Sequence, residues 1–335
     1  MIKPALCLFC CLLLPALAVA GTGYAERSEV RDFIATMASR HGFAPGELER
    51  LFNQIEPRGQ IIEAISRPAE GKPWHRYRPI FLTERRIREG VAFKRRHAAA
   101  LERAEAVYGV PAEVITAILG VETFYGRHRG RYKVLESLAT LAFDYPQRGK
   151  FFRSELEQFL LLTREEGLPP LSALGSYAGA MGQPQFIASS FRQYAVDFNG
   201  DGRRDIWDDT ADVIGSVANY LGRHGWRRQA AIALPALVTG GDYQRFVTRK
   251  KPRKPTVSIA TLRRHGVRPT APLAEEDKAT LLALEGADGA EYWLTLDNFY
   301  VITRYNHSPL YAMAVYQLSR EIAHRSTAEF AAHDR

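Results

Sequence analysis

Cysteine is almost absent from this chain: three occur among its 335 residues, at Cys7, Cys10 and Cys11, and none follows. Everything beyond residue 11 therefore forms no disulfide, and cysteine nucleophiles, zinc–thiolate sites and iron–sulfur centres are excluded there. Long apolar runs are lacking too. The stretch from Ala5 to Leu14 stops short of the ~20 residues that a membrane-spanning helix needs. No segment recurs at a fixed period, which excludes solenoid and propeller arrays. Negative charge is in deficit, with 45 Lys and Arg against 37 Asp and Glu and a net charge of +8. Much of that excess sits in RFVTRKKPRKPTVSIATLRR, Arg245 to Arg264, where neither interleaved aromatics nor a nucleic-acid motif accompanies the cations. We read this stretch as a solvated basic loop and expect no nucleic-acid partner; attraction to an anionic polymer stays open.

At the N-terminus the sequence carries a targeting pattern. MIKPALCLFCCLLLPALAVA has a basic residue, Lys3, an apolar stretch, and the small-x-small triplet Ala18-Val19-Ala20. Residues 1–20 are expected to be a cleaved signal peptide that takes all three cysteines with it, leaving no stable membrane span. No cysteine follows a lipobox-like triplet. For a bacterial chain the expected destination is the periplasm.

Helical periodicity dominates from Glu26 to about Gly225. Val30, Phe33, Ile34 and Met37 mark one apolar face, and Leu48, Leu51, Phe52 and Ile55 another. Thr83 is placed to cap a long helix running toward Val107, and Pro111 suits the first turn of the next, which Gly126 is expected to end. From about Arg228 to Trp293, short apolar runs punctuated by Pro and Gly point to a small β-containing part. The expected class is mainly α within α+β. Its expected divisions are an N-terminal helical region (24–107), a helical core (108–227), a small mixed subdomain (228–295), a segment returning to the core (296–323) and a tail (324–335).

One residue breaks the apolar pattern of the core. Counting by fours from Val110, Val114, Ile118 and Glu122 share a stripe, with Ile115 and Leu119 beside it. Glu122 therefore continues an apolar face near a helix C-terminus, where desolvation and the negative end of the helix dipole both disfavour its charged form. A carboxylic acid with a raised pKa is what a glycosidic oxygen needs as proton donor. The alternative is that Glu122 turns outward at a fraying end or pairs with Arg127 or Arg129.

The blocks around it carry more. GVPAEVITAILGVETFYG, LATLAFDYP, GSYAGAMGQPQF, IGSVANYLGRHGW and FYVITRYNHSPLYAMAVYQL follow in order from about Ser28 to Leu318 in a pattern that resembles the lytic murein transglycosylase B family. The resemblance implies a lysozyme-like helical core flanked by an α region and a small β region. It also implies cleavage of the β-1,4 bond between N-acetylmuramic acid and N-acetylglucosamine in peptidoglycan, ending in a 1,6-anhydromuramic product. On this resemblance Glu122 is the single catalytic acid/base. Ser176 and Gln185 would line the sugar site, and Tyr77, Arg148, Tyr305, Asn306 and Tyr311 match other cleft positions. The partners implied are peptidoglycan glycan strands and, as an open point, other cell-wall enzymes. Gln147-Arg148 stands where family members often have two adjacent arginines.

A conventional glycosidase pairs two carboxylates. The Gly-rich block GSYAGAMGQPQF holds none, and Asp144 is the one near candidate before it. That fits a lytic reaction in which the substrate's own N-acetyl oxygen assists. Gly175, Gly179 and Gly182 are expected to allow close approach of a sugar ring, with Phe124, Tyr177, Phe186, Tyr305 and Tyr311 offering apolar faces. Of these, Tyr177 and Phe186 are expected to be packing residues, and His307 a hydrogen-bonded structural histidine. Hydrolysis of the same bond, as by a muramidase, and a non-catalytic wall-binding or scaffolding role remain as alternatives.

A last motif is DFNGDGRRDIWD, residues 197–208. Asp197, Asn199, Asp201, Asp205 and Asp208 fall at positions one, three, five, nine and twelve of an EF-hand-like loop, Gly202 at six, and Arg203 supplies a carbonyl at seven. A structural Ca2+ is the expected occupant, and no cofactor is expected for the chemistry. Asp at twelve is shorter than the usual Glu. The competing reading is an Asx-turn loop in which Asp208 or Asp209 caps the next helix.

Overall fold

A computed structural model describes residues 23–66 and 71–333. The expected signal peptide and the three cysteines lie outside the described residues. By its internal contacts the chain divides after Glu56 into two compact units.

In the first unit, α1 (Ser28–His41) and α2 (Pro45–Phe52) follow a short 3-10 turn. The apolar stripe Val30, Phe33, Ile34 and Met37 is buried as its spacing requires. Phe33 meets Phe52 edge to face at 6.0 Å. Gly42 ends α1 in the left-handed conformation (φ 66°), its N–H returning to the Ala38 carbonyl.

The second unit begins with α3 (Gly59–Ile65), α4 (Trp74–Phe81), α5 (Glu84–Arg96), α6 (Ala98–Tyr108) and α7 (Ala112–Thr123). Strand β1 (Tyr132–Lys133), α8 (Val134–Asp144), α9 (Gly149–Glu165), β2 (Leu174–Gly175), α10 (Ala188–Tyr194) and α11 (Thr210–Arg223) follow. Helix α7 is the centre of this core. From Val114 to Gly120 it is buried on every face, because α5, α6, α11 and α14 (Pro309–His333) all pack against it. Among the described residues, no single helix is long and apolar enough to cross a membrane.

The small β part is a six-stranded sheet of β3 (Ala233–Val238), β4 (Val247–Thr248), β5 (Val257–Ser258), β6 (Val267–Pro269), β7 (Lys278–Glu285) and β8 (Ala290–Thr295). Its order is β4-β7-β8-β3-β6, with β5 also on β7; β4 runs parallel to β7 and the other pairs are antiparallel. The run from Ala279 to Leu284 is buried throughout, as an apolar strand covered on both faces should be. A short helix α12 (Ile259–Arg264) closes one side, burying Ile259 and Leu262. Helix α13 (Asp297–Tyr305) then returns the chain to the core, and α14 continues without a break through residues 324–333.

Two helix boundaries differ from the expectation. Thr83 does cap a helix, accepting the Arg86 N–H at 3.2 Å, but the helix stops at Arg96 and restarts at Ala98. The break at His97 lets α5 pack on α7 and α14 while α6 turns toward α11. Helix α7 ends at Thr123, not at Gly126, because Phe124 and Tyr125 both adopt left-handed backbone (φ 52° and 60°).

That early turn sends Tyr125 back along α7, where its hydroxyl donates to the Arg86 carbonyl at 2.8 Å. The ring needs two side-chain-free positions: a Cβ on Gly120 would stand 2.7 Å from the Tyr125 hydroxyl, and one on Gly90 would stand 2.5 Å from it and 2.6 Å from Ile322. Gly90→Ala should therefore lower unfolding free energy by about 1–3 kcal/mol through overpacking, a loss that urea denaturation would register.

Candidate active site

Glu122 occupies the last turn of α7, in the position its stripe assigns. It does not pair with either neighbouring cation: Arg127 bonds Glu89 at 2.7 Å and Arg129 bonds Asp208 at 2.7 Å. Its partner is instead Tyr311 of α14, whose hydroxyl donates to Glu122 Oε1 at 2.6 Å across 189 residues of sequence. Only part of the Glu122 surface is accessible, and desolvation by the surrounding protein pushes its carboxyl up to about 7, against the pull of the Tyr311 hydrogen bond, which favours the charged form. The group is thus poised to give or take a proton near neutral pH.

Tyrosines build the wall beside it. Tyr305, at the end of α13, stacks on Tyr311 with ring centroids 6.4 Å apart and planes 9° apart, and its hydroxyl donates to the Pro184 carbonyl at 2.6 Å. Burial, with the Glu122 charge as a second cause, drives both phenols well above their usual pKa, so they stay neutral hydrogen-bond donors. Tyr77 of α4 lies near enough to Tyr311 for the two phenols to interact electrostatically. Phe186 is buried behind them, 5.9 Å from the Tyr305 ring, so of the proposed aromatic faces it is packing.

The Gly-rich loop reaches this wall through backbone bonds. Thr123 Oγ1 donates to the Gln183 carbonyl at 2.9 Å and accepts the Gly126 N–H at 3.0 Å, joining the end of α7 to the loop. Gln183 is buried; its N–H donates to Ile206 O at 2.9 Å and its side chain to Trp207 O at 3.0 Å. Neither Thr123 nor Gln183 stood out in the sequence, where the only signal was their place beside Glu122 and within the Gly-rich block. Ser176 and Gln185 mainly shape the loop. Ser176 Oγ accepts the Ala178 and Ala180 N–H groups at 3.2 and 3.1 Å, while Gln185 (φ 53°) donates to the Gly182 and Arg129 carbonyls.

The glycines serve packing within the protein. A Cβ on Gly179 would meet Leu138 at 2.5 Å, and one on Gly182 would meet the Ile206 carbonyl at 2.4 Å. Tyr177 is exposed, with Tyr132 edge-on at 6.5 Å, so the expectation that it packs in the core does not hold: its ring stays at the surface. Arg148 is exposed at the start of α9, its guanidinium 4.3 Å over the Phe151 ring, and no described contact joins it to Glu122. Asn306 caps the end of α13, half-buried, with its carbonyl accepting the Ser308 N–H at 2.7 Å. His307 is exposed.

In the acidic loop, carboxylates hold backbone amides. Asp197 accepts from Gly200, Gly202 and Asp201 at 2.6, 2.8 and 3.1 Å, bonds that keep its carboxyl below the usual range. Asp201 accepts the Arg203 N–H at 2.9 Å, and Asp205 those of Trp207 and Asp208 at 2.8 and 2.9 Å. Asn199 donates to Asp209 at 2.7 Å. Asp209, not Asp208, caps α11, accepting from Ala211 and Asp212. Asp208 faces Arg129, and among the described residues the acidic side chains do not converge into a metal-holding group of three. The anchor of the loop is a residue the motif does not include: fully buried Asp212 accepts from Phe198, Asn199 and Asp205 at 2.6, 3.3 and 2.8 Å.

A raised-pKa carboxyl at the end of a buried helix, walled by neutral tyrosines, defines an acid/base site for sugar chemistry. A family model described as the transglycosylase SLT domain matches residues 25–320, and the chain belongs to that family, the lytic murein transglycosylases. Over 319 residues it is 42% identical to the membrane-bound lytic murein transglycosylase B of Escherichia coli (strain K12), spanning 90% of this chain and 85% of that protein. It is similar to the Escherichia coli lytic transglycosylase SLT35 in complex with calcium (41% identity, TM-score 0.82, 91% of this chain and 95% of that one). It is also similar to SltB3 from Pseudomonas aeruginosa in complex with NAG-anhNAM-pentapeptide (34% identity, TM-score 0.78, 88% of this chain and 79% of that one). The helical core is accordingly lysozyme-like.

Folding raises the Glu122 pKa from the ordinary 4.5 to about 7, so the folded chain keeps a proton that the unfolded chain has released between those values. Stability therefore falls as pH rises through that window. Glu122→Gln should be the more stable protein at about pH 8, by on the order of 2 kcal/mol, and should match the parent below about pH 4; urea unfolding at the two pH values measures the difference.

Proposed function

We propose that this protein cleaves the β-1,4 bond between N-acetylmuramic acid and N-acetylglucosamine in peptidoglycan strands, with Glu122 as the sole acid/base and a 1,6-anhydromuramic end as product. The observation that carries this reading is the half-buried Glu122 carboxyl, raised in pKa by desolvation and bound by Tyr311. In the first step protonated Glu122 gives its proton to the departing 4-oxygen as the C1–O bond breaks. The neighbouring N-acetyl oxygen stabilises the positive charge at C1. Glu122, now a carboxylate, takes the proton of the C6 hydroxyl while the C6 oxygen closes on C1. One glycosidic bond, C1 to the departing 4-oxygen, is exchanged for an internal one, C1 to O6, Glu122 is protonated again, and no water is consumed.

Each supporting group follows from this cycle. Tyr311 donates to Glu122 and so lowers the cost of its transient charge. Tyr77 and Tyr305 offer faces to sugar CH groups, and Arg148, Ser176, Gln185 and Asn306 line more distant parts of the cleft, with residues 108–227 as the catalytic core. No carboxylate among the described residues bonds or perturbs Glu122, which leaves the substrate's N-acetyl oxygen to stabilise C1. Action on peptidoglycan agrees with export to the periplasm through residues 1–20.

Glu122→Gln should abolish release of anhydromuropeptides from a murein digest, read by mass spectrometry beside the parent. Reducing-end products from the parent enzyme would instead assign hydrolysis, and products from the variant would remove Glu122 from the chemistry.

We also infer that the loop of residues 197–208 holds a structural Ca2+. The donor set is all oxygen: Asp197, Asn199 and Asp201 side chains, the Arg203 carbonyl, and Asp205, with Asp208 joining by leaving Arg129. The ionised state of Asp197 and the turn at Gly202 (φ 87°) suit such a site, and the calcium complex of SLT35 supports it. Restoring calcium after chelation should raise the melting temperature. An unchanged Tm would leave the loop as a hydrogen-bonded turn.

A further inference from the structure

The turn that follows Glu122 is strained. Phe124 and Tyr125 stand side by side in the left-handed region (φ 52° and 60°), which L side chains adopt at a cost. Such a pair persists only where its neighbours over-determine it. One residue of α5 touches both: the Arg86 guanidinium carbon lies 4.9 Å from the Phe124 ring centre, and the Arg86 carbonyl accepts the Tyr125 hydroxyl at 2.8 Å.

Arg86 also joins the helices that carry Glu122 and Tyr77. Its Nε donates to the Gly120 carbonyl at 3.0 Å, in the last turn of α7 and two residues before Glu122. Its Nη1 donates to the Ile80 and Phe81 carbonyls at 2.5 and 3.1 Å. Those two carbonyls belong to the last turn of α4, where acceptors have no partner within the helix. Phe81 packs on Tyr77, one turn earlier, with ring centroids 5.1 Å apart. The guanidinium is half-buried, and no carboxylate among the described residues bonds it or offsets its charge. Three main-chain carbonyls and the rings of Phe81 and Phe124 stand in place of an acid. A cation withdrawn from water on these terms is costly, and what it gains is a single contact point for two helix ends and a strained turn.

Resting on the function proposed above, we propose that Arg86 is a positioning residue for the cleavage. It locks the last turns of α4 and α7 to the turn at Phe124 and Tyr125, and so fixes where the Glu122 carboxyl meets the sugar bond. Arg86 acts through Glu122 and transfers no proton itself. The role needs a guanidinium, whose planar fork directs donors at two helices at once; a Lys ammonium is one point on a flexible stem. Misplacing an acid costs rate more than binding, so the loss should appear in kcat.

The test compares Arg86→Lys and Tyr125→Phe with the parent on soluble murein fragments, at a temperature where circular dichroism shows each variant folded. Arg86→Lys should lower kcat by about tenfold or more and leave KM within about twofold. Tyr125→Phe keeps the ring and loses only the bond to the Arg86 carbonyl. It should lower kcat by about twofold to fivefold with KM unchanged, and it carries the test if Arg86→Lys does not fold. A lower melting temperature with kcat unchanged in the folded variants overturns the proposal and leaves Arg86 a prop of the fold. A loss confined to KM overturns it as well, by making Arg86 a substrate contact. Turnover by the parent and its loss in Glu122→Gln test the proposed function separately, since an active parent with unaltered variants refutes only the role of Arg86.

Discussion

A carboxyl group must sit where water is scarce and still be able to change its charge. Glu122 meets that demand in the last turn of a helix whose middle, Val114 to Gly120, is sealed in the core, beneath a tyrosine delivered by a distant helix. Burial alone would make its carboxylate too costly; the Tyr311 hydroxyl offsets part of that cost and leaves the group near neutrality. Much of the surrounding architecture serves this balance. The left-handed turn at Phe124 and Tyr125 stops α7 immediately after Glu122, and Gly90 and Gly120 exist in the form the returning Tyr125 ring needs.

A continuous path of bonds leads from this helix end to the acidic loop. Thr123 holds Gln183, Gln183 holds the backbone at Ile206 and Trp207, and Arg129 bonds both Trp207 O and Asp208. Asp212 fastens the other side of the loop to α11. Two hydrogen bonds, Gln183 to the Trp207 carbonyl and Thr123 to the Gln183 carbonyl, thus join the loop to the end of α7.

Several elements are legible in the sequence. The stripe Val114, Ile118, Glu122 and the face Val30, Phe33, Ile34, Met37 are local periodicities, and both took the burial their spacing demanded. The β-containing part after Arg228 showed in its punctuation. Ser176 and Gln185 were less transparent, since nothing in a Gly-rich string tells whether a polar side chain meets a ligand or its own loop. The structure assigns most of their hydrogen bonds to the loop. Gly179 and Gly182 pack against Leu138 and Ile206, a need created by neighbours far away in sequence. The break at His97 was likewise invisible, because it arises from the different partners that α5 and α6 must reach.

By itself, then, the sequence determined the helical elements, the position of Glu122 on an apolar face and the oxygen-rich spacing of residues 197–208. These depend on interactions within a few residues, where the 3.6-residue period and turn chemistry act directly. Tertiary structure alone decided that Tyr311 binds Glu122, that Arg127 and Arg129 turn to other acids, and that Asp212 anchors the loop. Such contacts join residues brought together only when the core packs. The desolvation that raises the Glu122 pKa is a property of that packed surrounding, which no stretch of local sequence contains.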